Sequence, residues 1–403
     1  MSSIRKRCAM NIEYTYLLHI LKSFISKTKP EILPDIDWNQ MMSLSIIHSV
    51  QGILGYMVIS HKLTDSPELL NIMRRWCMEN VAMYTIRNQA MEALIEQMKK
   101  EGLEHILFKG FVLKDYYPVP ELRSYGDIDF VIRLEDRAKS HQLMLDLGYQ
   151  VKNDWEAVYS YVKNNEFYEI HSDIMEVNVS DKADYCGYFK NMWEHTVNTG
   201  EYSREFTPEY HFLYLLTHIA KHIYGSGAGI RMYLDLAVFL KHFEDKVNWA
   251  YVKEQLEELQ LYDFYCTVMT AIKKWFDVES PIGLKEVSEE NLEEFFVFTM
   301  EGGVYGHVNR ERGINALKQK GMDEQTVART GVILRRLFPS AENLEKRYTY
   351  LQKKHWLLPA AWIHRVFLTR DTWGKHVHEA KVIISADSSE VQKMKNIYKN
   401  IGL

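Results

Sequence analysis

The sequence predicts an α+β protein: a mixed sheet with helices, flanked by N- and C-terminal helical regions. Three observations carry this. Apolar positions recur at helical spacing through residues 10–100, short runs of strand length alternate with helical segments through 101–200, and the helical period returns from Thr207 onward. The pattern divides the chain into a helical domain at 1–100, an α+β core at 101–200, a helical domain at 201–280 and a C-terminal helical region at 281–403.

In the first region Leu17, Leu18, Ile20, Leu21, Phe24 and Ile25 share the helical period. Ser66-Pro67-Glu68 supplies a helix start. Leu70, Ile72, Met73, Trp76, Val81, Met83, Ile86, Met91, Leu94, Ile95 and Met98 then predict one long amphipathic helix to about Lys100, its methionines filling a core. The texture changes at Gly102. His105–Phe108 reads as a short strand, Gly110–Tyr117 as a short helix closed by Pro118, Asp127–Arg133 as a second strand, and Leu134–Leu147 as a helix stopped by Gly148. Further strands are expected at Tyr149–Val151, Val158–Val162 and Phe167–Val179. Thr207-Pro208 opens helices at 208–224, 230–243, 249–259 and 262–276, with Gly225, Gly227 and Gly229 separating the first two. Farther on, Gly302, Gly303 and Gly306 mark a turn, and Leu337-Phe338-Pro339-Ser340 a helix end and a new start. The segment from Trp356 to Phe367 reads as a packed terminal helix rather than a membrane-contacting one.

The 403 residues are 46% hydrophobic and 26% charged, ample for a sizeable core. A net charge of −5 and a pI of about 6.4 give no whole-chain basic field, which argues against nucleic acid as the partner. Cys8, Cys77, Cys186 and Cys266 are scattered without metal-binding spacing and read as reduced thiols. Arg5, Lys6 and Arg7 are not followed by a signal-peptide apolar stretch, and no run reaches the roughly 18 apolar residues of a membrane span. The expectation is a cytoplasmic protein.

The strongest chemical signal is Asp127-Ile128-Asp129-Phe130. In a strand, alternate side chains share a face, so Asp127 and Asp129 point one way while Ile128 and Phe130 enter the core. At about 3.3 Å rise per residue their roots lie roughly 6.5–7 Å apart. Two surface-facing carboxylates so spaced can converge on a hard divalent cation, Mg²⁺ or Mn²⁺, which keeps part of its shell for phosphate oxygens. On the later strand Glu169, His171 and Asp173 share a face; Glu169 is read as the third carboxylate and Asp173 as its rival. Lys109-Gly110 stands at a strand-to-helix turn, where free N–H groups favour phosphate. His218 with His222, and Arg231 with Asp235, are four apart and share helix faces; the second pair has the spacing of an intrahelical ion pair. Ile219 after His218 excludes a zinc-protease HExxH motif. Tyr116, Tyr117 and Tyr125 are either base-stacking aromatics or core.

The order Lys109-Gly110, Arg123, Asp127-x-Asp129, Glu169-x-His171 resembles the uncharacterised nucleotidyltransferase family within the DNA polymerase β-like superfamily. His218-xxx-His222, Arg231-xxx-Asp235 and the stretch from Leu337-Phe-Pro-Ser to Leu358-Pro-Ala-Ala-Trp-Ile fit as well, so the similarity spans most of residues 100–370. The wider superfamily carries Gly-Ser where this chain has Lys109-Gly110. The resemblance implies a polymerase β-like nucleotidyltransferase core and divalent-metal-dependent transfer of a nucleoside monophosphate from an NTP to a hydroxyl on a small molecule, glycan precursor or protein. It further implies that Asp127 and Asp129 hold the ion bridging the triphosphate. Asp129 with Glu169 would hold a second ion, about 3.5–4 Å away, at the acceptor hydroxyl. Lys109 and Arg123 would meet phosphate, and Gly110, His171, His218, His222, Arg231 and Asp235 would line the pocket that the 201–280 helices close. A non-catalytic nucleotide-binding or regulatory protein of the same fold is the alternative. A glycosidase-type carboxylate pair leaves Lys109-Gly110 and Arg123 without a purpose.

Overall fold

The computed structural model describes residues 12–303, apart from 125, 155, 156 and 226, and beyond these 334, 338–344, 349–352, 354–368 and 388–403. Cys8, Tyr125, Gly306 and Leu337, singled out above, lie outside the described residues. Helices α1 (Ile12–Ser26), α2 (Trp38–Ile47) and α3 (Gln51–His61) precede α4 (Pro67–Lys100). The α1 positions Leu17, Leu18, Ile20, Leu21, Phe24 and Ile25 are all buried, as their period predicts. Ser66 caps α4 by accepting from the Leu69 N–H at 3.4 Å, and Pro67 occupies the first turn, where its missing N–H costs nothing.

Helix α4 is less amphipathic than expected. Of the apolar positions read from the sequence only Met73, Met91, Leu94 and Met98 are buried, and Val81 and Ile86 are exposed. The reason is length. At 1.5 Å per residue its 34 residues span about 51 Å, so its two ends serve different cores. Met73 joins the large core of the helical layers, while Met91, Leu94 and Met98 pack beneath the sheet.

The sheet comprises β1 (His105–Leu107), β2 (Ile128–Ile132), β3 (Gln150–Asn153), β4 (Val158–Lys163), β5 (Glu166–His171), β6 (Thr196–Asn198) and β7 (Ser203–Phe206). Their order is β3-β4-β5-β2-β1-β7-β6; β2 runs parallel to β5 and β1 to β7, and the other pairs are antiparallel. One face carries Leu107, Ile128, Phe130, Ile132, Tyr168 and Ile170 against the end of α4. The other turns Ile106, Phe108 and Val131 toward the main helical core. Alternation within β2 therefore sends Ile128 and Phe130 one way and Asp129 the other.

Several boundaries differ from expectation. The helix after Lys109 shrinks to a single turn, α5 (Gly110–Leu113), followed by a 3₁₀ turn at Lys114–Tyr116. A 3₁₀ turn at Leu134–Asp136 precedes α6 (Arg137–Asp146). The strand expected over Phe167–Val179 ends at His171, because the Met175 N–H donates to Asp173 Oδ1 at 3.2 Å and turns the chain back on itself. A one-turn helix, α7 (Tyr185–Tyr188), and strands β6 and β7 were not legible. The two strands are three and four residues long, partly polar, and defined by their partners rather than by a pattern.

Helices α8 (Pro208–Gly225), α9 (Ile230–Phe243), α10 (Trp249–Glu258), α11 (Tyr262–Phe276) and α12 (Glu289–Gly302) complete the main body. His48, fully buried after α2, ties two of them together: its Nδ1 accepts from the Ile230 N–H at 3.2 Å and its Nε2 donates to the Met300 carbonyl at 3.2 Å. The described C-terminal pieces include α13 (Ala341–Leu344), α14 (Leu358–Leu368) and α15 (Ser388–Asn400). Ala361 of α14 packs with Leu344 and Leu351, and Tyr398 of α15 donates to the Ile223 carbonyl at 2.7 Å. Among the described residues no helix is long and apolar enough to cross a membrane.

Candidate functional site

A cavity of about 460 Å³ lies between the sheet and helices α8 and α9. Its floor is formed where the interior strands β2 and β5 run side by side. Their parallel register sets Asp129 opposite Glu169 and Val131 opposite His171. Asp127, one residue before β2, lines the same cavity. The pairing thus brings carboxylates 40 residues apart in sequence onto one face. The rival Asp173 has left the strand and closes the turn described above.

The expectation that both aspartates face the surface fails for Asp129, which is only 5% exposed. Its Oδ1 accepts from Lys109 Nζ at 2.8 Å and from His171 Nε2 at 2.9 Å. Burial works against the Asp129 charge, but Lys109 and His171 outweigh it and hold the carboxyl well below the usual carboxylate range. The same pairing overrides burial at Lys109 and holds its ammonium charged. At Asp127 burial and the Asp129 charge raise the carboxyl above its ordinary value. Glu169 is pushed up to about 7 by burial, then by Asp129 and Asp127.

Lys109 sits on an unusual backbone, with φ 52° and ψ −133°. A non-glycine residue held there costs on the order of 1–3 kcal/mol, which the surroundings must offset. Besides the Asp129 pair, Nζ lies 5.0 Å from the centroid of the Phe108 ring and interacts with the Tyr214 hydroxyl. Phe108 in turn meets His171, Phe206 and Tyr214 edge-on, fixing the imidazole from behind. Helix α5 has one turn, so its dipole adds little to phosphate binding at this point.

Arg123 was expected to grip phosphate. It borders the cavity but is 5% exposed, and its guanidinium is committed elsewhere: Nε and Nη2 donate to Asp235 Oδ1 and Oδ2, both at 2.8 Å, and Nη1 donates to the Gly110 carbonyl at 3.2 Å. Asp235 therefore pairs with Arg123 and not with Arg231 on its own helix. Tyr117 also donates to Asp235 Oδ1, at 2.6 Å, so it is a buried structural residue, and Tyr116 stacks on His242 at 4.3 Å. Gly110 is required for this packing: a Cβ there would lie 2.6 Å from Arg123 Nη1.

The wall opposite the carboxylates is basic. Arg231 donates from Nη1 to the Ser124 carbonyl at 2.8 Å, while its buried Nε has no hydrogen-bond partner among the described residues. His218 and His222 meet Nε2 to Nε2 at 3.2 Å. Burial, then His222, drives His218 well below its ordinary value, and burial with Lys109 brings His222 to about 4, so both rings are neutral at pH 7. Sequence reading missed Lys221 and Glu176, which also line the cavity. The signal for Lys221 was its place three residues after His218 on one helix face; Glu176 lies in irregular chain and gave none.

Asp129, Glu169 and His171 offer ligand atoms that all lie within 4.8 Å of one another. Carboxylate oxygens with one imidazole suit a divalent cation such as Mg²⁺ or Mn²⁺, so the donor set fits the metal expected. His171 Nε2 is also the donor to Asp129, and Asp127, expected as a ligand, is not in this group.

The sequence of residues 34–277, more than half of the chain, matches the family described as uncharacterised nucleotidyltransferase. No curated protein matches. Among solved structures, the crystal structure of the Megavirus polyadenylate synthase aligns over 92% of this chain and 76% of that one, at 11% identity and a TM-score of 0.28, too low to carry an argument.

Proposed function

The chain belongs to the uncharacterised nucleotidyltransferase family, and from that premise we propose that it transfers a nucleoside monophosphate from an NTP to a hydroxyl acceptor, with Mg²⁺ or Mn²⁺ bound by Asp127, Asp129 and Glu169. One observation carries the reading: the carboxylates of Asp127, just before β2, Asp129 on β2 and Glu169 on β5 line a single cavity with Lys109, Lys221 and Arg231. A triphosphate with its cation has the matching charge pattern. The metal would supply charge neutralisation at the phosphates.

The residues of the chain supply the rest. Arg231 and Lys221, which line the cavity from α9 and α8, bring two positive charges for phosphate oxygens. Arg123 and Asp235 hold Gly110 and the start of α5 in place from beneath. His171 fixes the rotamer of Asp129, and the neutral His218–His222 pair offers lone pairs or N–H groups to an incoming hydroxyl. In the transfer, the acceptor oxygen bonds to the α-phosphorus, the bond to the β-phosphate oxygen breaks, pyrophosphate leaves, and the acceptor proton passes to a carboxylate of the cluster. Positioning and charge stabilisation account for most of such catalysis. The net negative charge favours a small molecule, glycan precursor or protein as acceptor over nucleic acid.

Incubation of the protein with each α-³²P-labelled NTP, Mg²⁺ or Mn²⁺ and a metabolite and protein extract tests the reading. Label transferred to an acceptor, with release of pyrophosphate, supports it. Binding of NTP with no transfer to any acceptor favours the second reading, a nucleotide-binding regulatory protein, to which the Lys109 cover on Asp129 lends weight.

A further inference from the structure

A two-ion clamp needs a shared carboxylate that gives one oxygen to each ion, and the family resemblance gives that place to Asp129. In the fold, one of its two oxygens already carries a cation. Lys109 Nζ stands 2.8 Å from Oδ1, and His171 Nε2 donates to the same atom at 2.9 Å. The ammonium is not a surface lysine that happened to reach inward. Its side chain is 17% exposed, its backbone is held at φ 52°, and Phe108 and Tyr214 bracket the amine. A chain that puts lysine where glycine conformation is required bears that strain for something the amine does. The Asp127 and Glu169 carboxylates line the same cavity as Asp129, carboxylates enough for one divalent ion.

We propose that this site takes a single divalent ion and that the Lys109 ammonium stands in the place of the second, neutralising Asp129 and the triphosphate permanently. The proposal rests on the nucleotidyl-transfer reading. It narrows the chemistry: one position of the clamp is part of the polypeptide, fixed in charge and independent of metal supply.

Counting bound Mn²⁺ decides it. The free aqueous ion has a strong six-line paramagnetic resonance signal that disappears on binding, so titration gives the number of ions per chain. The probe is Mn²⁺ with the non-hydrolysable α,β-methylene analogues of ATP, CTP, GTP and UTP, and Mn²⁺ alone as reference. The wild-type chain is expected to hold one ion with nucleotide present. Lys109→Gly and Lys109→Met are expected to hold two, and Lys109→Arg, which keeps the charge, one. Lys109→Gly suits the native backbone angle but leaves Asp129 buried without its ammonium, so a thermal melt of each variant accompanies the count, and the wild-type count decides by itself if the uncharged variants do not fold. Two ions in the wild-type chain overturn the proposal and leave nucleotidyl transfer standing. One ion in the wild type and in both uncharged variants also overturns it, because Lys109 then does not set the number. No bound ion with any of the four analogues overturns the proposal and the metal-dependent reading together.

Discussion

Arg123 and Asp235 meet fork to fork across 112 residues of sequence, with two parallel hydrogen bonds of 2.8 Å in a site closed to solvent. The pair joins the loop before β2 to helix α9, so it locks the sheet against the helical wall that carries Arg231. Removing one partner strands a buried charge. Arg123→Ala or Asp235→Ala should each cost about 3–5 kcal/mol, and the double change to leucines less than their sum. Arg123→Lys should also be costly, since a point charge cannot reproduce the fork. Urea denaturation of the four variants measures this; a loss of NTP affinity with stability unchanged would instead make Arg123 a phosphate ligand.

Gly110→Ala should act through the same contact. A Cβ 2.6 Å from Nη1 must push the guanidinium aside or shift the turn that holds Lys109. A loss of about 1–3 kcal/mol is expected. An unchanged melting temperature would show that Arg123 has room to yield.

Asp127 and Asp129 should separate cleanly. Asp129→Asn leaves the Lys109 ammonium buried without a counter-charge and should cost about 3–5 kcal/mol. Asp127 is less buried and forms no ion pair among the described residues, so Asp127→Asn should cost under about 1 kcal/mol. Both should lose Mn²⁺ binding. Equal stabilities in a thermal melt would contradict the Lys109 pairing.

Glu169 predicts a pH dependence for the metal-free protein. Its carboxyl titrates at about 7 when folded, above its ordinary 4.5. Between those values the native state holds the proton that the unfolded chain has lost. Stability from this group is therefore present below about 4.5 and lost as pH rises through about 7. Glu169→Gln should flatten the decline, as read by melting temperature from pH 5 to 8, and Mn²⁺ should do the same for the wild-type chain by neutralising the cluster.

Arg231→Ala should weaken NTP binding by about 1.5–3 kcal/mol, the range for hydrogen bonds to charged groups, and leave nucleoside binding nearly unchanged. Calorimetric titration with the two ligands side by side checks it. Equal losses would place Arg231 in the pocket wall rather than on phosphate.

Alternation within each strand was legible, setting Asp129 away from Ile128 and Phe130 and Glu169 on one face with His171, because strand period depends on local backbone alone; the pairing of β2 with β5 that sets Asp129 against Glu169 was not. The partners of Arg123 were not. Asp235 lies at the right spacing for Arg231 on its own helix, and only the packing of α9 against the loop before β2 turned it to Arg123. Asp173 shows the same limit from the other side. It kept the strand pattern in sequence, yet a side-chain-to-backbone hydrogen bond two residues on ended the strand before it. Strands β6 and β7 escaped because pairing with β1, and not their own composition, makes them strands.

The imidazole of His48 holds the first amide of α9 and the end of α12 at once, so it must carry its proton on Nε2 and leave Nδ1 bare. Arg231 is the next residue after that amide. The reach of the guanidinium into the cavity is thus gauged from an anchor 182 positions earlier in the chain. A fragment beginning at the sheet would keep every carboxylate and lose the peg that sets its basic wall at the right height.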